Sequence, residues 1–512
     1  MALARTHSVA LVGVEGHLVE IEADIAQGLP ATILVGLPDT ALREARDRIR
    51  AAIVNTGESW PQTKITVGLS PASLPKRGSG FDLAIAVAIL AAADAVPLSS
   101  PAGKMFLAEL GLDGRLRPVR GVLPAVVAAE PSLDTVVVAV ENAAEASLVP
   151  GVRVVAAGSL QEVAMWLRGG PLPTPPAPSA QQREPGASSP KPRKLDLAEV
   201  LGQSEARLAT EICAAGGHNL SLLGPPGAGK TMLAERLPTI LPKLESAAAL
   251  EVTSIHSVAG TLPPGAGLLT EPPFCAPHHT ASKAAIVGGG SGIIRPGAAS
   301  LAHRGVLFLD EAPEFGRDVL DALRQPLEAG EVIIARSAMC ARFPARFTLV
   351  LAANPCPCAK ASSGGAGCEC SPAARRRYLG RLSGPLLDRV DVKVRLQPVN
   401  RREMLYDRKF TETSAVVAER VAAARERAAR RLRDTPWRLN AEIPGAQLRG
   451  SFSPERGALR SLDRAMELGQ VSARGADKIV RVAWSVADLA GIPRPGAGDV
   501  EFAIGLWLGV TR

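Results

Sequence analysis

The stretch GPPGAGKT, residues 224–231, carries the strongest fold signal in this 512-residue chain. It fits the P-loop pattern G-x-x-x-x-G-K-[ST] completely; the apolar run NLSLLG before it predicts a strand, and KTMLAERL after it predicts a helix. In such a loop, glycines let backbone N–H groups wrap phosphates, the lysine reaches the β- and γ-phosphates, and the hydroxyl binds Mg²⁺. The predicted nucleotide-binding residues are Gly224, Pro225, Pro226, Gly227, Ala228, Gly229, Lys230 and Thr231.

Two further apolar runs end in polar side chains that suit the same site. GVLFLDE, residues 305–311, predicts a strand ending in Asp310 and Glu311. We expect Asp310 to hold Mg²⁺ through water and Glu311 to polarise the attacking water. FTLVLAAN predicts a third strand, and its terminal Asn354 suits a residue that positions this water beside the γ-phosphate.

Two arginines complete the predicted catalytic set. Arg389 lies in GPLLDRVDV and Arg474 in VSARGADKIVRVAW. Cations at these positions would neutralise charge that develops on the γ-phosphate, one coming from the next subunit and one from the C-terminal helical region.

Composition gives broader limits. A chain of this length predicts two to four domains, and 46% hydrophobic with 21% charged residues is typical of a soluble globular protein. The net charge of +8 fits a polyanion partner but does not require one. The N-terminal apolar run is too short for a signal peptide, and residues 81–98 carry two aspartates, so they predict a buried helix and no membrane span. We therefore expect a cytoplasmic protein without a membrane partner.

The pattern of elements divides the chain into four parts. Residues 1–168 alternate β-rich and helical runs, and residues 169–194 form a linker rich in proline, glycine and serine. Residues 195–398 alternate strands and helices around glycine-rich loops, and residues 399–512 are helical. The last part predicts helices over 412–433, 454–468, 472–489 and 498–508, the first with its arginines on a solvated face.

Four cysteines form a compact insert within residues 356–370 of the third part. Cys356, Cys358, Cys368 and Cys370 have the spacing C-x-C-x9-C-x-C, which predicts a structural zinc site in a reducing compartment. The C-x-C spacing is tighter than usual, so a redox switch and simple reduced cysteines stay open. The run ARRRYLGR follows, and we hypothesise that its Arg375, Arg376 and Arg377 contact phosphates.

Longer stretches extend the pattern beyond the nucleotide site. Among them are VEGHLVEIEADIAQGLPATILVGLPD, PASLPKRGSGFDLAIAVAIL, APHHTAS, RPGAASLAHRGVLFLDEAPEF, LRQPLEAGEVIIAR, NPCPC and SGPLLDRVD. With these motifs the whole chain resembles the YifB/ComM family of magnesium-chelatase-like AAA+ ATPases. The resemblance implies a multidomain α/β fold: a Lon-protease-like (S5-type) N-domain, a P-loop AAA+ core and a C-terminal α-helical lid.

The resemblance also implies an activity and partners. It implies a hexameric ring that hydrolyses ATP with Mg²⁺ and acts on single-stranded or branched DNA without sequence preference. Branch migration in recombination or natural transformation, alongside recombination proteins, is the expected role.

The resemblance assigns roles residue by residue. Lys230 and Thr231 become Walker A, Asp310 and Glu311 Walker B, Asn354 sensor 1, Arg389 the trans arginine finger and Arg474 sensor 2. Arg381, eight residues before Arg389, remains a rival for the finger. Arg336 and Arg342, in a predicted hairpin over residues 330–343, and the glycine-rich loop 286–300 are expected to face the pore.

A Lon-like fold raises the question of proteolysis. The position expected for the serine nucleophile falls on Gly80, with Ser79 beside it, and no lysine lies between Lys104 and Lys191. A downstream Ser–Lys dyad therefore cannot form in this region, which we interpret as a non-catalytic module for ring assembly or DNA contact. His278 and His279 lack an evident third ligand and are interpreted as structural or DNA-loop residues.

Two other functions remain alternatives. One is the ATPase subunit of a metal chelatase that remodels a protein partner, although a Lon-like N-domain and a cysteine insert are not expected of that subunit. A nucleotide-dependent scaffold without hydrolysis is the other alternative. Intact Asp310, Glu311, Asn354 and Arg474 speak against it.

Overall fold

The computed structural model describes most of the chain. The described residues are 3–36, 39–76, 78–173, 195–263, 265–290, 294–336, 339–359, 368–399, 401–407 and 411–510. Most of the predicted linker and the centre of the cysteine insert therefore lie outside the described residues. Within them, no helix is both long and apolar enough to cross a membrane.

The N-terminal part is built on a seven-stranded mixed sheet with the order β3-β4-β2-β1-β5-β8-β9. Its strands are β1 Leu3–Val12, β2 Glu15–Ala26, β3 Ala31–Val35, β4 Lys64–Ser70, β5 Lys104–Leu107, β8 Thr135–Ala139 and β9 Arg153–Ala157. A separate short ribbon pairs β6 Glu109–Leu110 with β7 Leu116–Arg117. β1 and β2 form a long antiparallel hairpin, and Gly13, with φ of 69°, allows its tight turn.

Helices cover this sheet. They are α1 Asp39–Asn55, α2 Asp82–Ala92, α3 Val122–Ala129, α4 Ala143–Ala146 and α5 Leu160–Leu167. Every residue of α2 is buried, in agreement with the prediction of a buried helix in this segment. A helix that is apolar on all sides after its first residue is stable only inside a core, and α2 packs against β1 and β2.

The central part is a parallel five-stranded sheet with the order β11-β12-β15-β10-β16. Its strands are β10 Leu220–Leu223, β11 Phe274–Cys275, β12 Val306–Leu309, β15 Thr348–Ala353 and β16 Val392–Arg395. The helices of this part are α6 Ser204–Gly216, α7 Lys230–Ile240, α8 Ser246–Ala259, α9 Lys283–Val287, α10 Ala298–Leu301, α11 Arg317–Ala322, α12 Arg324–Ala329, α13 Pro372–Leu379 and α14 Gly384–Leu387. The buried strands are nearly continuous apolar runs, as a sheet covered on both faces requires.

A two-stranded hairpin of β13 Glu331–Arg336 and β14 Met339–Pro344 projects from the central part. Its Phe343 and Ala341 share a buried apolar cluster with Val258 and with Leu11 of the N-terminal part. Nearby, the backbone N–H of Gly121 donates to the carbonyl of Ser257 at 3.3 Å. The two α/β parts are therefore in direct contact.

The C-terminal part is helical and packs on α6, α7 and β16. Its helices are α15 Arg401–Asp407, α16 Ser414–Arg431, α17 Gly445–Leu448, α18 Arg460–Glu467, α19 Ala473–Ala490 and α20 Ala497–Leu508. The predicted helix over 454–468 begins only at Arg460, because Pro454 and the left-handed Gly457 (φ 86°) interrupt the start of that segment. Residues of this part share one buried cluster with β10 and β16.

The prediction of a solvated arginine face on α16 is confirmed only in part. Arg430 is exposed and pairs with Glu426 at 3.6 Å, but other arginines of the helix bind buried groups. Arg431 forms a bidentate pair with the buried Asp488 at 2.6 and 2.7 Å, and Arg425 donates to the carbonyl of Ala214 at 2.8 Å. Arg420 binds Glu211, which is itself buried. These arginines fasten α16 to the central part and to α19, because the helix runs across the domain and carries its charged side chains towards buried carboxylates and carbonyls.

Candidate functional site

The predicted P-loop leaves the carboxyl end of β10 and enters α7 at Lys230. Gly227 and Gly229 adopt left-handed backbones, with φ of 76° and 87°. This conformation turns the loop back over the helix start, and a helix start offers free N–H groups to an anion. A Cβ on Gly227 would meet nothing within 4 Å, so the space in front of the loop is open.

Lys230 connects the loop with the neighbouring strand. Its side chain is buried, and Nζ donates to the carbonyls of Gly224 and Pro225 at 2.7 and 2.9 Å and to Oδ1 of Asn354 at 3.0 Å. Burial lowers the pKa of Lys230, and the charges of Asp310 and Glu311 oppose that shift. The structure thus brings Lys230 together with Asn354, Asp310 and Glu311, as the sequence predicted.

Thr231 and Asp310 form the predicted metal-binding pair. The hydroxyl of Thr231 donates to Oδ2 of Asp310 at 2.8 Å, and the N–H of Glu311 donates to Oδ1 of the same carboxylate at 2.9 Å. Oxygen ligands from a hydroxyl and a carboxylate are those that Mg²⁺ takes beside phosphates. The donor set therefore fits Mg²⁺ bound together with a nucleotide.

Glu311 lies beside Asp310 with its side chain exposed. Its backbone is left-handed, with φ of 49°, which is uncommon for a residue with a Cβ. Nδ1 of His279 lies 3.1 Å from Oε2 of Glu311. Sequence reasoning missed this contact, because His279 was interpreted as a structural or DNA-loop residue. One signal for this contact was available. His279 follows closely after β11 in the sequence, and β11 lies beside β12, the strand that leads to Glu311.

Arg389 and Arg474 are not brought to this P-loop. Arg389 precedes β16, so it lies at the amino edge of the sheet, a strand length of roughly 13 Å from the opposite edge. Its carbonyl accepts from the Asn219 side chain, which stands just before β10 at that same edge. The site residues at the carboxyl edge and these arginines therefore occupy opposite edges of one sheet.

The two arginines instead share a cationic cluster with Arg324. Burial lowers the pKa of Arg389, as do the nearby charges of Arg324 and Arg474. Nε of Arg324 and Nε of Arg389 are buried and have no hydrogen-bond partner within the described residues. Glu328 and Asp321 pair with Arg389 and Arg324 respectively. The sequence did not predict that Arg474 would lie with Arg389.

Arg381, the rival for the finger, lies elsewhere. It donates to Oε2 of Glu314 at 2.8 Å and to the carbonyl of Pro313 at 3.2 Å. Both partners belong to the turn that follows Glu311. Arg381 is thus tied to the carboxylate turn of its own chain.

The four cysteines of the insert converge. The Sγ atoms of Cys356, Cys358, Cys368 and Cys370 all lie within 4.8 Å of one another. Three of these separations are 3.3, 3.4 and 3.6 Å, close to the spacing of about 3.8 Å that tetrahedral Zn–S bonds of about 2.3 Å impose. None of the cysteines forms a disulfide.

Arg375 belongs to the surroundings of this cluster. The backbone N–H of Cys370 lowers the pKa of Cys368 to about 6, and the neighbouring thiols and the Arg375 side chain add to this shift. Arg376 and Arg377 are exposed on α13. The hypothesis that all three arginines contact phosphates remains a prediction.

In the N-terminal part, the polar side chains around the start of α2 are bound to neighbouring groups of the protein. Ser79 donates to the carboxylate of Glu109, and Lys76 is buried with Nζ donating to the carbonyls of Pro71 and Leu74. Asp82 at the start of α2 is bound by Arg48 at 2.7 and 3.0 Å. Ser79, Glu109, Arg48 and Asp82 border a cavity of about 290 Å³.

The predicted pore arginines lie on the β13–β14 hairpin. Arg336 is exposed, and Arg342 pairs with Glu331 across the hairpin at 3.3 Å. Whether they face a pore depends on an assembly, so that assignment stays a prediction.

Fold and site together define the class of protein. A parallel sheet carries a P-loop after β10, and the central strand β15 separates β10 from β12, the strand that ends in Asp310 and Glu311. Asn354, at the end of β15, contacts the P-loop lysine. This arrangement is that of an AAA+-type ATPase.

Comparisons with known proteins specify the family. A model described as magnesium chelatase, subunit ChlI, matches residues 196–404. Further models for this subunit match residues 21–142 and, for its C-terminal part, 411–506.

Full-length relatives agree with these matches. A protein of Mycobacterium tuberculosis is 52% identical over 505 residues, covering 98% of both chains. Competence protein ComM of Haemophilus influenzae is 43% identical and YifB of Escherichia coli 40% identical, each over 96% of this chain and 94% of its own length. The chain belongs to the YifB/ComM family of magnesium-chelatase-like AAA+ ATPases, as its motifs predicted, and this family implies ATP and Mg²⁺ as its ligands.

Proposed function

We propose that this protein is an ATP-driven ring motor that moves single-stranded or branched DNA, in branch migration during recombination or natural transformation. The observation that carries the proposal is the placement of Arg389 and Arg474 at the sheet edge opposite the P-loop. One chain alone cannot bring these cations to its own nucleotide. A second copy can, and repeated head-to-tail contacts of this kind close a ring, with six members expected.

The residues at the carboxyl edge have defined roles in this mechanism. ATP supplies the phosphoryl group that water attacks, with Mg²⁺ neutralising the charge on its oxygens. Thr231 and Asp310 hold the metal, and Lys230 exchanges its bonds to the loop carbonyls for bonds to phosphate oxygens. Glu311 accepts the proton of the attacking water, and Asn354 orients that water.

The cationic cluster acts on the neighbouring subunit. Arg389 serves as the arginine finger and Arg474 as a second cation at the same phosphate. Crowded positive charge and two buried Nε groups without partners favour an anionic ligand at this edge. Arg381 is a weaker candidate because it contacts Pro313 and Glu314, in the turn that follows Glu311, and so lies near the carboxylates of its own chain.

This trans arrangement has a direct test. We would mix Glu311→Gln, which keeps its arginines, with Arg389→Ala, which keeps its carboxylates. If the cluster acts in trans, the mixture contains interfaces with both elements intact, so it should hydrolyse ATP although each variant alone does not. Activity in the mixture no higher than in the separate variants would contradict the trans role.

DNA as the partner is supported by charge and by relationship. The net charge is +8, and exposed arginines occur at positions 336, 376 and 377. The similarity to competence protein ComM extends over almost the whole chain. Contact with phosphates alone predicts binding without sequence preference and with a steep salt dependence.

The remaining parts receive supporting roles. We assign to the N-terminal part a Lon-like fold without proteolytic activity, since Ser79 is bound to Glu109 and the sequence has no lysine between Lys104 and Lys191. Its contacts with the central part suit a role in ring assembly or DNA contact. The C-terminal helices act as the lid, and the protein works in the cytoplasm with recombination proteins.

We also propose that the four cysteines bind a structural Zn²⁺. Their converging Sγ atoms fit a closed four-thiolate site, which leaves no open position for catalysis. The metal content of the purified protein tests this directly, with one zinc per chain expected.

The alternative is an ATPase subunit that remodels a protein partner of a metal chelatase. The matches to subunit ChlI favour it, since they span most of the chain in three segments. ATP turnover distinguishes the two functions. We would measure it without DNA, with single-stranded DNA and with a four-way junction, using Glu311→Gln as the control.

Stimulation by DNA that Glu311→Gln abolishes supports the motor. Hydrolysis that is indifferent to every DNA contradicts it and favours the chelatase-type function.

A further inference from the structure

The cysteine cluster is joined to the nucleotide site at both of its ends. Cys356 follows two residues after Asn354, whose Oδ1 binds Lys230 Nζ. On the other side, Cys370 directly precedes Ser371, whose Oγ caps α13 by accepting the N–H of Ala374 at 3.2 Å. The cluster therefore closes a loop that begins at the predicted sensor and ends in α13.

Tyr378 of α13 lies close to Asn354, the predicted sensor. Its side chain is buried, with 5% of its surface exposed. Burial raises the pKa of Tyr378, and the nearby backbone N–H of Asn354 opposes that shift. The backbone of Asn354 thus lies beside Tyr378, and through the chain Asn354 is joined to Cys356, which is also buried. The carboxamide of Asn354 accepts the hydrogen bond of Lys230 from this position.

The described residues of this loop have few ordering contacts besides the cysteines. Between Asn354 and Ser371 the described residues form neither helix nor strand, and the buried side chain among them is Cys356. A short segment without an apolar core gains order from a metal, since the metal replaces the missing hydrophobic contacts. Four thiolates from the two ends of the loop would join those ends.

We infer that the zinc–thiolate cluster is a clamp that positions Asn354 for the γ-phosphate, so that loss of the metal lowers ATP turnover by acting through Asn354. The inference rests on the proposed zinc site. Asn354 is the residue that would contact the water and phosphate, and the cysteines are positioning residues. Binding of ADP, which has no γ-phosphate, should depend little on the clamp.

The experiment combines metal content with a double-mutant comparison. The variants are Cys370→Ser, Asn354→Ala and both together, with Cys340→Ser as the matched control, because Cys340 is an exposed cysteine outside the cluster. Zinc per chain, kcat for ATP and the affinity for ADP are measured for each. If Cys370→Ser does not fold, the same quantities are measured on the unmodified chain before and after zinc is removed by a chelator and restored.

We expect one zinc per chain in the unmodified protein and in Cys340→Ser. Cys370→Ser should lose zinc and about tenfold in kcat, with ADP affinity unchanged within about twofold. The double variant should be no slower than Asn354→Ala alone, because two changes that act through one group are not additive.

The possible negative results distinguish between failure of the metal site and failure of the clamp. Absence of zinc from the unmodified protein overturns the metal site itself. Zinc with unchanged kcat after its loss, or a double variant whose defect is the product of the two single defects, overturns the clamp while leaving the metal site in place. A parallel loss of ADP affinity would mean that the cluster supports the whole loop and not the sensor.

Discussion

Two loops in this protein each run into a helix, and only one of them is built to receive an anion. The loop of residues 224–231 enters α7, and the loop of residues 78–81 enters α2. Both contain a left-handed glycine, Gly227 with φ of 76° and Gly78 with φ of 92°. At the end of the first loop, Lys230 begins the helix, and its Nζ donates to the carbonyl of Gly224 in the loop. At the second, the carboxylate of Asp82 occupies the first position of the helix.

The two loops differ in what their charged and polar side chains bind. In the central part, Lys230 binds neutral carbonyl and amide oxygens, which it can exchange for phosphate oxygens. In the N-terminal part, Arg48 is committed to Asp82, and Ser79 is committed to Glu109. Similar local backbones thus give a binding site in one place and a closed, structural junction in the other, because the side chains around the helix start differ in charge.

The sharpest test of this contrast compares two carboxylates. Glu311→Gln should lower ATP turnover by about 10²- to 10⁴-fold, because it removes the base that activates water while leaving the phosphate-binding groups intact. Steady-state hydrolysis measures the loss, and ADP binding should be retained. Glu109→Gln, beside the closed loop, should keep turnover within about twofold, and a large loss there would show that the N-terminal junction takes part in the chemistry.

Removal of the charge that closes the N-terminal loop should destabilise the fold. In Arg48→Ala the buried Asp82 loses its partner, which should lower the free energy of unfolding by about 3–5 kcal/mol. Urea unfolding followed by tryptophan fluorescence measures the change. Arg5→Ala removes an exposed pair with Glu22 and should cost less than about 1 kcal/mol.

The same variant has a defined pH dependence. Burial already raises the pKa of Asp82 above its ordinary 3.8, and loss of Arg48 raises it further. The folded state then binds a proton that the unfolded state releases, so the variant should lose stability as pH rises above about 4. Constant stability between acidic and neutral pH would contradict an unpaired buried carboxyl.

His279 gives an intermediate effect on the open site. His279→Ala removes the partner that lies 3.1 Å from Glu311, and we expect turnover to fall about five- to tenfold because the carboxylate loses its orientation. His279→Asn, which can still donate a hydrogen bond, should retain more activity. A rise in turnover of His279→Ala would mean instead that the histidine holds Glu311 away from the water.

The smallest expected effect separates backbone strain from phosphate binding. Gly227→Ala and Gly78→Ala both place a Cβ in a left-handed conformation with nothing within 4 Å, so each should cost about 1 kcal/mol of stability. Only the change at Gly227 should also weaken ADP binding, as measured by titration calorimetry. Equal ADP affinity in both variants would show that the loop backbone does not contact the phosphates.

Local patterns were sufficient for much of the fold and site. Apolar runs flanked by glycine or polar residues predicted the strands before Gly224, Asp310 and Asn354, and a wholly apolar run predicted α2. The long β1–β2 hairpin was not predicted, because polar and charged residues interrupt its apolar ones and leave no continuous apolar run. The predicted start of α18 is six residues too early, because Pro454 and the left-handed Gly457 interrupt that segment.

The sequence by itself determined which residues are capable of the chemistry: a phosphate-binding loop, carboxylates at a strand end and four closely spaced cysteines. These signals are local, since each depends on a few neighbouring residues. Only the tertiary structure decided where the remaining groups fall. The strand order places Arg389 with Arg474 opposite the P-loop and brings His279 beside Glu311, and these positions follow from long-range packing of strands and helices that no local pattern encodes.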